Sequence, residues 1–370
     1  MAKKVVVVGA GVIGLLLAKR LAKNGIDTTV YESKRKVSDN TAKASGIFSK
    51  EGLSRLDVDW EGAMVTTLNG ATIFAGGENF KVAAKGDKAY VLDRGVFAEI
   101  CANEAEEAGA KIVLNNRLDR EQILQLKNDQ NKIVVGADGA VSNVASAAGF
   151  PSIGEHILTY KAEYDGVEVK DTHKVELFFS NRIARRFFGW TVPYSASKIE
   201  VGIGISNLSK KASTVAFEEF LKMPYIKTML ANAKKTVGYA SMIPLNARKK
   251  TVIGNVLLVG DAAGQVKATT GGGIIFGAAC AGVAADSIIA NVRDGAPLSL
   301  YEKRWRKRFG LDLKMHRALH GYYSSMGDRS FAIAIKAAKL AGFEQFFSRY
   351  GDMDRPSLML KRFFLRGLSK

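Results

Sequence analysis

Four turns in this 370-residue chain carry residue types that can hold phosphates, sugar hydroxyls and a planar ring. Gly9, Gly11 and Gly14 have the GxGxxG spacing, directly after the β-branched run 5–8 and directly before a helical pattern over 15–24. Glycine at 9 permits a tight turn, glycine at 11 lets the backbone approach a pyrophosphate, and glycine at 14 lets helix and strand pack closely. The first-turn N–H groups, that of Ile13 among them, lack partners inside the helix and attract phosphate. Glu32 closes a second strand over 28–31, where its carboxylate would accept from a ribose hydroxyl and repel a 2′-phosphate; NADP is therefore disfavoured here. Asp138 and Gly139 lie in Gly-Ala-Asp-Gly after a strand pattern over 132–135, with Ser142 just beyond. Asp261 and Gly264 lie in Gly-Asp-Ala-Ala-Gly after a strand pattern over 256–259. Finally Thr270, Gly271, Gly272, Gly273 and Ile274 open a small-residue helix. Its first turn has no side chains to obstruct a ring, and its dipole favours negative charge.

Composition narrows the chemistry further. Lys and Arg exceed Asp and Glu by 54 to 36, a net charge of +18, which attracts an acidic partner: a membrane surface, nucleic acid or a phosphorylated small molecule. Two cysteines, Cys101 and Cys280, cannot build a disulfide framework or a thiolate metal cluster, and both fall in helical patterns as small core residues. The four histidines exclude a His-rich metal site; His316 and His320 have i,i+4 spacing without HExxH, which predicts a solvated helix face. The apolar stretch 273–285 stops at Asp286 and is too short to span a bilayer. No signal peptide precedes the first strand, so a cytoplasmic protein is expected.

The elements that must position these turns follow from periodicity. The first βαβ unit covers 5–31. Strands are predicted at 64–68, 90–92 and 111–114, and a helix over 96–108 that Asp93 and Arg94 open. From 154 to 207 the texture changes to alternating segments at 175–179, 186–192 and 199–205, an antiparallel meander. The run 256–259 restores the buried parallel-strand pattern. The fold class is α/β: a Rossmann-like domain over 1–150 and 245–300, an inserted antiparallel sheet domain over 151–244, and a basic helical region over 301–370. That last region holds 16 Lys and Arg against 6 Asp and Glu.

This set of turns, in this order, resembles the FAD-binding domain (GR2 type) of the para-hydroxybenzoate hydroxylase superfamily. The resemblance implies FAD as cofactor, with Asp261 on the ribityl chain and Arg94 near the pyrophosphate or ribityl. It implies that Asp138-Gly139 shapes the site, that Ala44 and Gly46 belong to its loop, and that adenine is met near Leu118. No second GxGxxG exists, so no separate NAD(P)H domain is found. Residues 260–282 resemble those of the geranylgeranyl reductases, flavoenzymes that saturate prenyl chains. Ala268 stands where that family has proline, and neither Lys43 nor Ala44 is the family's usual cysteine. Its Y-x-W-x-F-P motif is kept at Trp190 and Pro193, with Phe188 in place of tyrosine and Val192 in place of phenylalanine.

The resemblance implies a hydride from flavin N5 to one alkene carbon and a proton to the other, with a prenyl lipid as substrate. Phe178, Phe179, Phe187, Phe188, Trp190 and Val192 are candidate walls for its chain. Tyr160, Tyr164 and bound water are open as proton sources, and NAD(P)H or a ferredoxin as electron donor. The basic tail and an amphipathic 358–368 segment suggest peripheral contact with anionic membrane. No catalytic side chain is assigned, no metal or nucleic acid is expected, and a monomer is expected. A flavin monooxygenase or halogenase on the same fold is the alternative; a non-enzymatic basic binding protein rests on charge alone.

Overall fold

The computed structural model describes residues 3–40, 45–209 and 211–358. Lys4–Val8 sits near the centre of a six-stranded sheet, paired in parallel with Thr28–Tyr31 on one side and Lys132–Gly136 on the other. The register Val5↔Thr28 and Val5↔Ile133 brings the carboxyl ends of these strands to one edge. Val256–Leu258 joins beside Lys132–Gly136, so the four turns read from the sequence share that edge. The valine run is explained by burial on both faces. Val5 and Val7 pack under the helices Val12–Lys23 and Ile274–Asp294, while Val6 and Val8 pack with Ile123, Val134 and Val144 on the opposite face. Each such side chain contributes about 1.5–3 kcal/mol when fully buried.

The second sheet has seven strands, ordered Lys234–Pro244, His156–Asp165, Lys198–Ser206, Gly189–Pro193, Lys174–Phe179, Gly70–Ala75 and Glu78–Ala83. It thus draws in residues 70–83 from the stretch assigned above to the first domain. That hairpin turns on Gly76 and Gly77, both at positive φ (58° and 84°), which suits a two-residue turn matched to strand twist. The strand predicted at 186–192 starts only at Gly189. Arg186 has φ 65°, and its N–H donates to Asn181 Oδ1, so a turn occupies that stretch instead.

One face of the second sheet is covered by the helix Ser213–Leu221, whose Phe217 and Phe220 meet Val201, Ile203 and Phe178. The other face carries Trp190, Val192 and Ile157, which pack with Ile47, Leu68, Val91 and Ala268. The first three belong to a small sheet of Ile47–Ser49, Ala89–Leu92 and Met64–Leu68.

The helix Ile274–Asp294 is 21 residues and, by length and composition, could cross a membrane. The apolar stretch 273–285 is thus part of a longer helix: Asp286 pairs with Arg20 at 2.6 Å, and the helix runs on to its Gly295 cap. Its buried side packs on Val12–Lys23 and on the helix Ser299–Ser324. Tyr301, Trp305 and Phe309 bury that last helix in the core beneath the first sheet. Ile335, with Phe331, Phe343 and Phe347 around it, covers strands 70–83.

Candidate cofactor crevice

At the carboxyl edge of the first sheet the glycines divide into two kinds. A Cβ on Gly14 would stand 2.1 Å from Gly9 O, and one on Gly9 would stand 2.5 Å from Ala137 O. Those two glycines knit the first turn to the 136–139 turn. Gly11 is different: a Cβ there would meet nothing within 4 Å. It faces open space at the N-terminus of Val12–Lys23, where the helix dipole and free N–H groups favour an anion. Gly139 also opens on free space. Ile13 turns its side chain away, onto Gly260 and Gly277.

Glu32 is buried and fixed. Its Oε2 accepts from Ala10 N at 2.8 Å, and its Oε1 from Ser33 Oγ and Lys34 N. The backbone N–H of Asn116 donates to the Glu32 carbonyl. Leu118 lies beyond, buried beside Tyr31. The Asp138 carboxylate caps a helix, accepting from Ser142 Oγ at 2.6 Å and Val144 N at 3.0 Å. Its burial raises its pKa, with those bonds opposing. Asp138 therefore shapes the turn.

Asp261 and Arg94 form the polar centre. Burial pushes the Asp261 carboxyl up to about 6, and the nearby Arg94 guanidinium holds it from rising further. Burial lowers Arg94 to about 10, so it stays cationic at neutral pH. Arg94 Nε is buried without a hydrogen-bond partner, while its guanidinium lies over Phe48 at 5.4 Å. Gly46 passes close beneath at φ 69°, its Cβ position 2.3 Å from Leu92 O. Ala44 lies outside the described residues. Gly264, also left-handed at φ 70°, closes the 260–264 turn, which Gln265 fixes by accepting from Gly260 N and donating to Tyr301.

The three glycines before Ile274 lie tightly against their surroundings. A Cβ on Gly271 would meet Ile243 at 2.6 Å, one on Gly272 would meet Lys267 Cε at 2.8 Å, and one on Gly273 would meet Asp261 Oδ1 at 2.7 Å. They are small because a sheet residue, an ammonium and a carboxylate crowd the turn. FAD, the group implied by the sequence, fits these residues: an open glycine at a helix N-terminus, a fixed carboxylate at the second strand's end, a poised Asp261 and an unsatisfied Arg94 donor.

The face next to this turn is apolar but holds a buried charged knot. Phe187 and Phe188 stack at 4.1 Å, and Phe188 meets Trp190 edge-on. Glu200, fully buried, accepts from Trp190 Nε1 at 2.8 Å, from Tyr194 OH at 2.9 Å and from Lys161 Nζ. Burial, then the Glu200 charge, pushes the Tyr194 phenol far above its ordinary range, so it stays protonated. Pro193 ends the strand one register position beyond Val192. Phe178 and the tyrosines Tyr160 and Tyr164 do not belong to this wall. They pack in the helix-covered face, because side chains alternate along a strand.

The reading missed Lys161, Glu200, Tyr194 and Lys267. A signal existed for the last: Lys267 is the single charged residue between Asp261 and Asp286. The solvated helix face expected for His316 and His320 is also overturned. Both are buried, His316 bonding Thr269 Oγ1 at 2.7 Å and His320 the Arg186 carbonyl at 3.0 Å. The helix runs between the Thr269 loop and the Arg186 turn, so its i,i+4 stripe points inward. Cys101 and Cys280 are buried core residues, as expected.

The chain matches the family described as lycopene cyclase protein over residues 4–370. It is 30% identical to the digeranylgeranylglycerophospholipid reductase of Methanocaldococcus jannaschii, over 88% of this chain and 87% of that protein. A geranylgeranyl bacteriochlorophyll reductase-like structure from Thermoplasma acidophilum aligns with TM-score 0.80 at 20% identity, over 97% of this chain and 95% of that one. The structure of a flavin-dependent brominase aligns with TM-score 0.73 at 15% identity, over 100% of each chain.

Proposed function

We propose, from the premise that this chain belongs to the lycopene cyclase protein family and is kin to a digeranylgeranylglycerophospholipid reductase, that it is an FAD-dependent reductase of prenyl-chain double bonds. The observation that carries this reading is the contact of the Gly271 turn with Ile243, a residue of the apolar face that holds Phe188 and Trp190. A redox ring held at that turn would lie beside an apolar wall suited to a hydrocarbon chain. FAD would supply the hydride when bound. Glu32 and the Gly11 turn would take its adenosine and phosphate end, Arg94 and Asp261 its middle. Phe188 and Trp190, braced by Glu200, would exclude water along the chain, and Pro193 would end that strand at the wall's rim. Tyr194, kept protonated by burial beside Glu200, would hold its O–H on this face. NAD(P)H or a ferredoxin would deliver electrons from outside.

The test is anaerobic. Purified protein, loaded with FAD and reduced by dithionite, should reoxidise on addition of a geranylgeranyl-chain glycerophospholipid. Mass spectrometry of the lipid should show a gain of two mass units for each bond saturated. Reoxidation by oxygen alone, with the lipid unchanged, would instead favour an oxygenase on the same fold.

Peripheral attachment of this cytoplasmic enzyme to membrane is part of the same proposal. On the helix Ser299–Ser324 the exposed residues Arg304, Lys307, Leu311, Lys314, Ala318 and Tyr322 share one face by their three- and four-residue spacing, and none is acidic. Leu311 and Tyr322 are 63% and 67% exposed, and such a mixed cationic and apolar face suits anionic headgroups. Sedimentation with phosphatidylglycerol vesicles should exceed that with phosphatidylcholine vesicles. Each lysine near the surface contributes about 1 kcal/mol, so Lys307→Gln with Lys314→Gln should weaken binding by roughly 30-fold. Equal sedimentation with both lipids would remove the membrane role. The proposed 358–368 helix falls almost wholly outside the described residues.

A further inference from the structure

Lys267 is 5% exposed, in a loop whose other residues are small or neutral. Its backbone closes the cofactor turn: its carbonyl accepts from Gly271 N at 2.8 Å and its N–H donates to Gly272 O at 3.2 Å. Its ammonium lies against the same turn, with Nζ 3.1 Å from the point where a Gly272 Cβ would stand. The counterion comes from far along the chain. Asp354, in the segment that follows the last helices, accepts from Lys267 Nζ at 2.6 Å through Oδ1 and from Ser49 Oγ through Oδ2. The Met353 carbonyl accepts from Lys267 Nζ at 3.3 Å. His316 joins the Asp354 carbonyl to Thr269, and burial lowers its pKa to about 4, so at neutral pH it adds no charge.

A buried ion pair is a poor source of stability, since apolar residues of similar volume often serve as well or better. Its placement therefore suggests another role. We propose that Lys267 is a positioning charge that sets the electron affinity of the flavin, and that Asp354, delivered by the C-terminal segment, moderates it. This rests on the reading that the ring lies at the 270–274 turn. Two-electron reduction with uptake of one proton leaves a negative charge on the ring's N1–C2 carbonyl edge. The N-terminus of Ile274–Asp294 and the Lys267 ammonium both favour that charge, and a single cation within a few ångströms acts strongly in a dry site. The C-terminal segment is thereby wired to the cofactor's electrostatics through one carboxylate.

The experiment measures midpoint potentials of the FAD-loaded full chain by equilibration with a reference dye. Lys267→Met should lower the equilibrium constant for flavin reduction by about tenfold, Asp354→Asn should raise it, and Lys267→Arg should stay near the parent. The paired Lys267→Met with Asp354→Leu leaves no lone buried charge and covers the case where a single change unfolds the chain; it should still shift the potential downward. Variants that hold FAD stoichiometrically at the parent's potential would overturn the inference and leave the functional reading standing. A parent chain that binds no FAD would instead overturn the functional reading, and the inference with it.

Discussion

Asp261→Ala should leave the purified chain without flavin. At least a hundredfold rise in the dissociation constant for FAD is expected, read by the quenching of flavin fluorescence. Nothing among the described residues donates a hydrogen bond to this carboxyl. Its acceptor capacity is therefore free for ligand hydroxyls, each charge-assisted bond contributing roughly 1.5–3 kcal/mol. The same carboxyl strains the empty protein. Its folded pKa of about 6 lies above the unfolded value near 4, so the ionised form is the one disfavoured by folding. The sign follows: the burden is absent below pH 4, grows as pH rises to 6 and is complete above it. Asp261→Asn should remove that slope and, at pH 7 without FAD, stabilise the chain by about 2–3 kcal/mol, measured by urea denaturation. Ligand hydroxyls favour the carboxylate, so FAD binding should release a proton and tighten between pH 5 and 7. Full FAD affinity in Asp261→Ala would displace the site from this turn.

Glu200→Ala should cost about 3–5 kcal/mol of stability, the largest folding effect expected of any single change in the second sheet. Glu200 is wholly buried, and its removal leaves the Lys161 ammonium, itself only 3% exposed, without its carboxylate. Trp190 Nε1 and Tyr194 OH lose their acceptor at the same stroke. Replacing both ions, Lys161→Met with Glu200→Leu, should recover much of the loss, because no lone charge then remains inside. Denaturant titration of the single and double variants tests this. If Glu200→Ala unfolds within 1 kcal/mol of the parent, the knot does not brace the wall. Prenyl-chain reduction in the stable double variant separates bracing from proton supply: kcat should fall while the FAD content holds.

Much of the first domain was legible because its signals are local. A valine run needs two covered faces, GxGxxG needs a strand before it and a helix after it, and Asp93 caps the helix predicted one turn along. The Gly76-Gly77 hairpin was equally readable but was not read. The strand Lys234–Pro244 was not, since its lysines, threonine and serine acquire a strand's identity only by pairing with His156–Asp165 along its length. The histidines failed for a related reason: i,i+4 spacing defines a stripe on a helix, but only the neighbouring elements say whether water or protein meets it.

By itself the sequence determined the parallel core, the turns at its carboxyl edge and the residue types able to hold a dinucleotide, because strand, turn and cap preferences act over a few residues. The tertiary structure decided which face of the second sheet looks at that edge, so that Trp190 and Glu200 lie on it while Phe178, Tyr160 and Tyr164 lie behind. It also brought Asp354 onto Lys267 across 87 residues of chain. Contacts at such separation depend on how whole layers stack, and no local pattern of residues encodes them.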